Sequence, residues 1–207
     1  MYKTQFLNRG TAGLELAKLL EPESATVVLG MPGNGMPVAV AAARYLNVPL
    51  RPLLVRKLGI PGHDNLSMGA LAPYGVQWLD RELIDRLGLT KAAVQKVVEK
   101  ETQELRRSED VYANGKGYNL IAGNSAVIVD DGIPDNIHNI SAAIEFVRER
   151  QPLRLLIAAP VISSSAETNL SAKCEGLIYL HKPDIYGVTD YWYEEQTGGS
   201  YRIQQIK

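Results

Sequence analysis

The sequence predicts an α/β fold: a parallel sheet flanked by helices, with a small loop-rich hood inserted at about residues 56–80. Three observations lead there. Compact apolar runs suited to fully buried strands recur at residues 26–30, 126–129 and 155–159. Segments of helical period lie between them, and strands alternating with helices build parallel sheets. One stretch breaks the alternation, where Gly59, Pro61, Gly62, Gly69, Pro73 and Gly75 crowd together.

Residues 11–20 read as a short helix with Leu16, Leu19 and Leu20 on one side. The β-branched run Thr26-Val27-Val28-Leu29-Gly30 is the first buried strand. Met31-Pro32-Gly33-Asn34-Gly35 makes a turn, and Pro37 opens an alanine-rich helix to about Leu46. Proline suits a first helical turn because its missing N–H has no intrahelical partner there. Residues 48–55 form the next strand, its donors interrupted by Pro49 and Pro52. The excursion over 56–77 holds a short hairpin.

Thr90 caps a helix over 90–107, in which Val94, Val97, Val98, Thr102 and Leu105 recur near a 3.6 period. Arg106 and Arg107 suit the negative end of its dipole. A break at 114–117 precedes the central strand. Ile140, Ala143, Ile144 and Val147 mark a helix ending before Pro152. A strand at 155–159, a short helix led by Ser163-Ser164-Ser165 and a strand at 177–180 follow. With no internal repeat or linker, residues 1–207 read as one domain.

Composition narrows the function classes. A net charge of −1 gives no global field toward nucleic acid or an acidic membrane, and neither is expected as a partner. Cys174 is the only cysteine, so no internal disulfide forms and a reducing compartment is expected. Residues 1–5 lack the apolar core of a signal peptide and no run reaches membrane-spanning length, so the expectation is cytoplasmic. His63, His138 and His181 are far apart without ligand spacing, so no structural zinc is expected.

The chemistry concentrates at Ala126-Val127-Ile128-Val129-Asp130-Asp131-Gly132-Ile133. A buried strand runs straight into two carboxylates, a glycine and a helix lead-in. In an open parallel sheet, ligands sit beyond the carboxyl ends of the strands. Ionised carboxylates only accept hydrogen bonds, so Asp130 and Asp131 suit two vicinal ribose hydroxyls or a hydrated Mg²⁺. The turn after them offers N–H groups and a positive helix end to a phosphate. Plain turn chemistry is the alternative for Asp-Asp-Gly.

This stretch resembles the phosphoribosyl-pyrophosphate motif of the type I phosphoribosyltransferases. The resemblance to a bacterial branch of that family spans nearly the whole chain. It includes Leu29-Gly30-Met31-Pro32-Gly33-Asn34-Gly35, Val55-Arg56-Lys57-Leu58-Gly59-Ile60-Pro61-Gly62, Met68-Gly69-Ala70, Glu104-Leu105-Arg106-Arg107-Ser108-Glu109 and Ala159-Pro160-Val161. It implies transfer of ribose 5-phosphate from phosphoribosyl pyrophosphate to a nitrogenous base, with Mg²⁺. Asp130 and Asp131 would hold the ribose and, through water, the metal. Gly132, Ile133, Pro134, Asp135, Asn136, Ile137 and His138 would form the phosphate loop; Gly33, Asn34, Gly35 and Lys57 would face pyrophosphate.

Two departures stand out. Asp135-Asn136-Ile137-His138 replaces the family's threonine, glycine, small residue and threonine. Losing two hydroxyl donors to a charged phosphate weakens binding by roughly 3–6 kcal/mol, about 10²–10⁴-fold. Asp135 adds a like charge, whereas a protonated His138 would attract the phosphate. Gly33 and Asn34 take the places of an arginine and a glycine, so the turn offers N–H groups but no cation; Arg56 and Lys57 are the candidate substitutes.

The alternative reading is therefore a catalytically degenerate module that binds a nucleotide, nucleoside or protein partner. A purely structural subunit is a third. Tyr186, Tyr191, Trp192 and Tyr193 suit base stacking, a homodimer interface or the edge of the core. His63 lies on the hood, within reach of a base or simply on its surface.

Overall fold

The computed structural model describes residues 5–20, 25–112 and 117–195. Residues 1–4 of the N-terminal reading and 114–116 of the expected break lie outside them. Five parallel strands form the central sheet: β1 (Val27–Gly30), β2 (Leu50–Pro52), then β6 (Ser125–Val129), β7 (Arg154–Val161) and β8 (Gly176–His181), in the order β2-β1-β6-β7-β8.

The helices α1 (Arg9–Ala17), α2 (Gly35–Leu46), α5 (His138–Arg148) and α6 (Ser164–Leu170) connect or flank these strands. The chain leaves β1 through α2 toward β2, and β6 through α5 toward β7. These opposite directions open a crevice at the carboxyl ends of β1 and β6.

The sheet is apolar on both faces, and its two-residue period sorts the faces cleanly. Val28, Val127, Val129, Leu156 and Ala158 pack with Leu16, Leu20, Val38, Ala39 and Ala43 of the α1–α2 side. Val27, Leu29, Ala126, Ile128, Leu155 and Ile157 pack with Ile140, Ala143, Ile144, Phe146 and Val147 of α5. Burial on both faces explains why these strands read as continuous apolar runs rather than alternating ones.

Helix α1 begins two residues earlier than the sequence suggests. Asn8 and Thr11 form a reciprocal capping box, with Asn8 accepting from the Thr11 N–H at 3.0 Å. Thr90 caps α4 (Lys91–Tyr112) as expected, at 3.2 Å from the Ala93 N–H. The expected strand at 48–55 shrinks to three residues around Pro49 and Pro52.

The hood is more regular than a loop-rich excursion. Strands β3 (Arg56–Ile60), β4 (His63–Leu71) and β5 (Gln77–Leu79) form an antiparallel sheet, followed by α3 (Arg81–Arg86). The crowded glycines mark its irregularities. The β3–β4 register shifts between Leu58 and Ile60, and a Cβ on Gly69 would stand 2.3 Å from the Trp78 carbonyl. The hood core joins Leu58, Ile60, Met68 and Leu71 to Val94 and Leu105 of α4. Among the described residues, no helix is long and apolar enough to cross a membrane.

Candidate functional site

Gly30 and Val129 are paired neighbours at the ends of β1 and β6, so the loops leaving them start side by side. Asp130 is the first residue past β6, and Gly35 opens α2 directly against it. A Cβ on Gly35 would lie 2.6 Å from Asp130 Oδ1 and 3.2 Å from its Cα. Only glycine permits this approach of the expected pyrophosphate turn to the acidic pair. Asp130 Oδ1 also accepts the Asp131 N–H at 2.9 Å, which fixes the carboxylate over its own turn.

Asp131 points elsewhere. Its Oδ2 accepts from Arg9 Nε at 2.8 Å and lies 2.8 Å from the terminal guanidinium nitrogen. Arg9 is fully buried, stacks over the Tyr193 ring at 4.4 Å and also pairs with Asp190. Tyr193 donates its hydroxyl to the Asp131 carbonyl at 2.5 Å. Asn34 reaches Asp190 at 3.5 Å, so the C-terminal segment touches both the acidic pair and the β1 turn.

Phe6, Tyr186, Trp192 and Tyr193 form one buried cluster with Val161, while Tyr191 is exposed. This is the core-edge role among those weighed for the aromatic segment. Gly132 lies beneath it: a Cβ there would meet the Tyr186 hydroxyl at 2.3 Å and Thr189 at 2.7 Å.

The expected phosphate loop is half anchored. Ile133 is buried, its N–H bonded to Val161 and its carbonyl to the Ser163 N–H, both at 2.9 Å. Pro134, Asp135 and Asn136 are exposed. Among the described residues, the N–H groups of Gly132, Asp135 and Asn136 have no intramolecular partner. The N-cap residues of the two helices that start at the crevice, α2 and α5, make no side-chain cap, although Asn136 Oδ1 accepts the first N–H of α5 at 3.1 Å. Gly33 adopts φ +80° with open space around its Cβ position.

His138 departs from expectation. Its imidazole is buried against the hood, Nδ1 at 2.9 Å from Ser67 Oγ and the ring 5.0 Å from Trp78. Arg56 is paired with Glu101 of α4 at 2.7 Å, which neutralises one candidate substitute for the missing arginine. Lys57, exposed on β3, lines a cavity of about 590 Å³ with Ile60, Leu83, Leu87, Pro134 and Asn136, so it faces the phosphate-loop side of the hood.

Comparison with known proteins agrees with this geometry. No family model matches the chain. Over 194 residues, 93% of this chain, it is 32% identical to Mycobacterium tuberculosis proteins of strains CDC 1551 / Oshkosh and ATCC 25618 / H37Rv, each named "Putative phosphoribosyl transferase". The crystal structure of TT1426 from Thermus thermophilus is similar with a TM-score of 0.66 and 30% identity, covering 91% of this chain and 90% of that one. The chain belongs to the phosphoribosyltransferase-like family. It spans 44% of the length of the mycobacterial relatives. The AQ2163 protein from Aquifex aeolicus, 10% identical, shares the fold with a TM-score of 0.53.

In this phosphoribosyltransferase-like chain the two carboxylates are electrostatically unequal. Burial, reinforced by the Asp131 charge, holds Asp130 well above the usual carboxylate range. Burial also raises Asp131, but the Arg9 guanidinium pulls it back toward ionisation. Asp131 is thus committed to an internal pair with Arg9, and Asp130 is the carboxylate beside Gly35 at the crevice. Sequence reasoning missed Arg9 and Asp190. Arg9 follows a helix cap and Asp190 sits among aromatic residues, and neither has a local pattern that points 122 or 181 residues along the chain.

Proposed function

We propose that this chain is a phosphoribosyltransferase acting in the cytoplasm on phosphoribosyl pyrophosphate, passing its ribose 5-phosphate to a nitrogenous base. The observation that carries the reading is Asp130 packed against Gly35, at the sheet's switch point, beside the N-terminus of α2, which has no side-chain cap. Asp130 accepts the ribose hydroxyls. Asp131, held by Arg9, supplies the backbone turn and a fixed negative potential behind the ribose. The N–H groups of Gly132, Asp135 and Asn136 donate to the 5-phosphate, and the start of α2 faces pyrophosphate.

Oxygen donors at Asp130 suit Mg²⁺. Among the described residues, however, no group of three or more His, Cys, Asp or Glu side chains could hold an ion by itself. Asp130 would hold Mg²⁺ through water, and the metal would supply charge neutralisation at the leaving group. The protein's own work is positioning and charge stabilisation of the oxocarbenium-like ribose.

A nucleoside- or nucleotide-binding module is the second reading. It is favoured by Asp135, which stands exposed in the loop that would hold a dianion, and by the absence of a cation at Gly33. Calorimetric titration of phosphoribosyl pyrophosphate with Mg²⁺, beside ribose 5-phosphate and unphosphorylated nucleosides, separates the two. Micromolar binding of the pyrophosphate that is lost in Asp130→Asn supports the transferase. Binding of nucleosides alone rejects it.

A further inference from the structure

His138 is the first residue of α5, and its surroundings fix its hydrogen atoms. The Ser67 hydroxyl donates to the Gly69 carbonyl at 2.7 Å and accepts the Gly69 N–H at 3.2 Å. A serine hydroxyl has one hydrogen. Ser67 therefore accepts from His138, and the imidazole carries its hydrogen on Nδ1 at 2.9 Å. In the neutral ring Nε2 is then a lone pair, and it faces Asp80 Oδ2 at 3.4 Å. Asp80 is committed to α3, whose Leu83 N–H it caps at 2.9 Å. Two acceptors thus face each other beside the cavity under the hood.

The ring also joins elements distant in sequence. Trp78 of β5 packs on it, Ser67 of β4 holds Nδ1, and the His138 N–H is held by Asn136 of the phosphate loop at 3.1 Å. Among the described residues, the charged groups facing it are Asp80 and, across the cavity, Lys57 of β3; Ser67, Trp78, Asn136 and Asn139 are uncharged.

We propose that the neutral His138 imidazole is a positioning residue that clamps the phosphate loop and the hood into one unit through Ser67 and Trp78, and that mild acid releases the clamp. This regulates the site proposed above and rests on that reading for its ligand arm only. The direction follows from burial. A side chain 9% exposed loses solvation when charged, and this outweighs the attraction of Asp80, so the His138 pKa falls below the ordinary histidine value. Protons therefore bind more readily to arrangements that expose the ring, and acid favours separation of loop from hood. Direct capture of phosphate by a histidinium would have the opposite pH dependence.

Two substitutions separate the ring nitrogens. An asparagine amide lies where Nδ1 lies and keeps the donor to Ser67, whereas a glutamine amide reaches the Nε2 position. In ligand-free protein, nitrogen NMR of labelled histidine is expected to show hydrogen on Nδ1, with titration below the ordinary value. Both variants lose the packing on Trp78, and His138→Asn, which keeps the Ser67 bond, is expected to show a smaller fall in denaturation midpoint than His138→Gln. Affinity for phosphoribosyl pyrophosphate with Mg²⁺ between pH 8 and 5.5 is expected to fall about tenfold further in the wild type than in His138→Asn, which carries only the ligand's own titration. Hydrogen on Nε2, Gln matching Asn, or wild-type affinity rising in acid relative to Asn overturns the proposal. If the pyrophosphate fails to bind at every pH, the transferase reading falls, while the ligand-free measurements still decide the clamp.

Discussion

The Arg9 guanidinium and the Asp131 carboxylate meet at 2.8 Å inside the protein, with side-chain exposures of 1% and 12%. This pair connects the first helix to the turn after the central strand. It also divides the Asp-Asp dipeptide into a carboxylate paired inside the protein and one that faces the crevice.

Removing Arg9 leaves Asp131 buried without its counter-charge. Arg9→Met is expected to cost about 3–5 kcal/mol in urea denaturation, and Arg9→Met/Asp131→Leu to recover most of it, because an uncompensated charge costs more than an apolar pair. Additive losses in the double mutant would contradict the pairing.

Asp130 yields a prediction with a definite sign. A carboxyl whose pKa is raised on folding stabilises the fold at low pH, and that contribution is lost as pH climbs through the raised value. Asp130→Asn has no such proton to lose. Without ligand it is expected to be more stable than the wild type at pH 7, with the gap closing toward pH 4. A denaturation series across that range checks it, and a variant less stable at pH 7 would refute it.

Gly35→Ala places a methyl on Asp130 Oδ1. Overpacking of this kind costs typically about 1–3 kcal/mol. The variant is expected to lose that much stability and to lose phosphoribosyl pyrophosphate binding, both measurable on one preparation.

Gly33→Arg tests the missing cation. Its side chain has open space, but φ is +80°, a conformation that costs a non-glycine residue roughly 1–2 kcal/mol. One added charge-assisted hydrogen bond contributes about 1.5–3 kcal/mol, or roughly 10–150-fold in affinity. Calorimetry should show tighter pyrophosphate binding while the melting temperature falls.

The buried strands were legible because each is an unbroken apolar run, and the parallel sheet they form buries both faces. Thr90 was legible as a cap because hydroxyl-to-backbone bonding spans three residues. Pro49 and Pro52 marked the weakness of β2 for the same local reason. The hood was less legible: its strands carry glycines and prolines at bulges and turns, and these obscure the alternation that pairing would otherwise impose.

What this sequence determined by itself was the strands and helices of the central sheet, the acidic pair at a strand end and the family resemblance. All three depend on neighbours within a few residues. The tertiary structure decided that Asp131 pairs with Arg9, that Asp190 and Tyr193 close over that pair, and that His138 meets Ser67 of the hood. Each is a contact across 62 to 181 residues, set by how the sheet brings distant loops together. A periodicity reports which face a residue occupies; only the packed chain selects the partner waiting on that face.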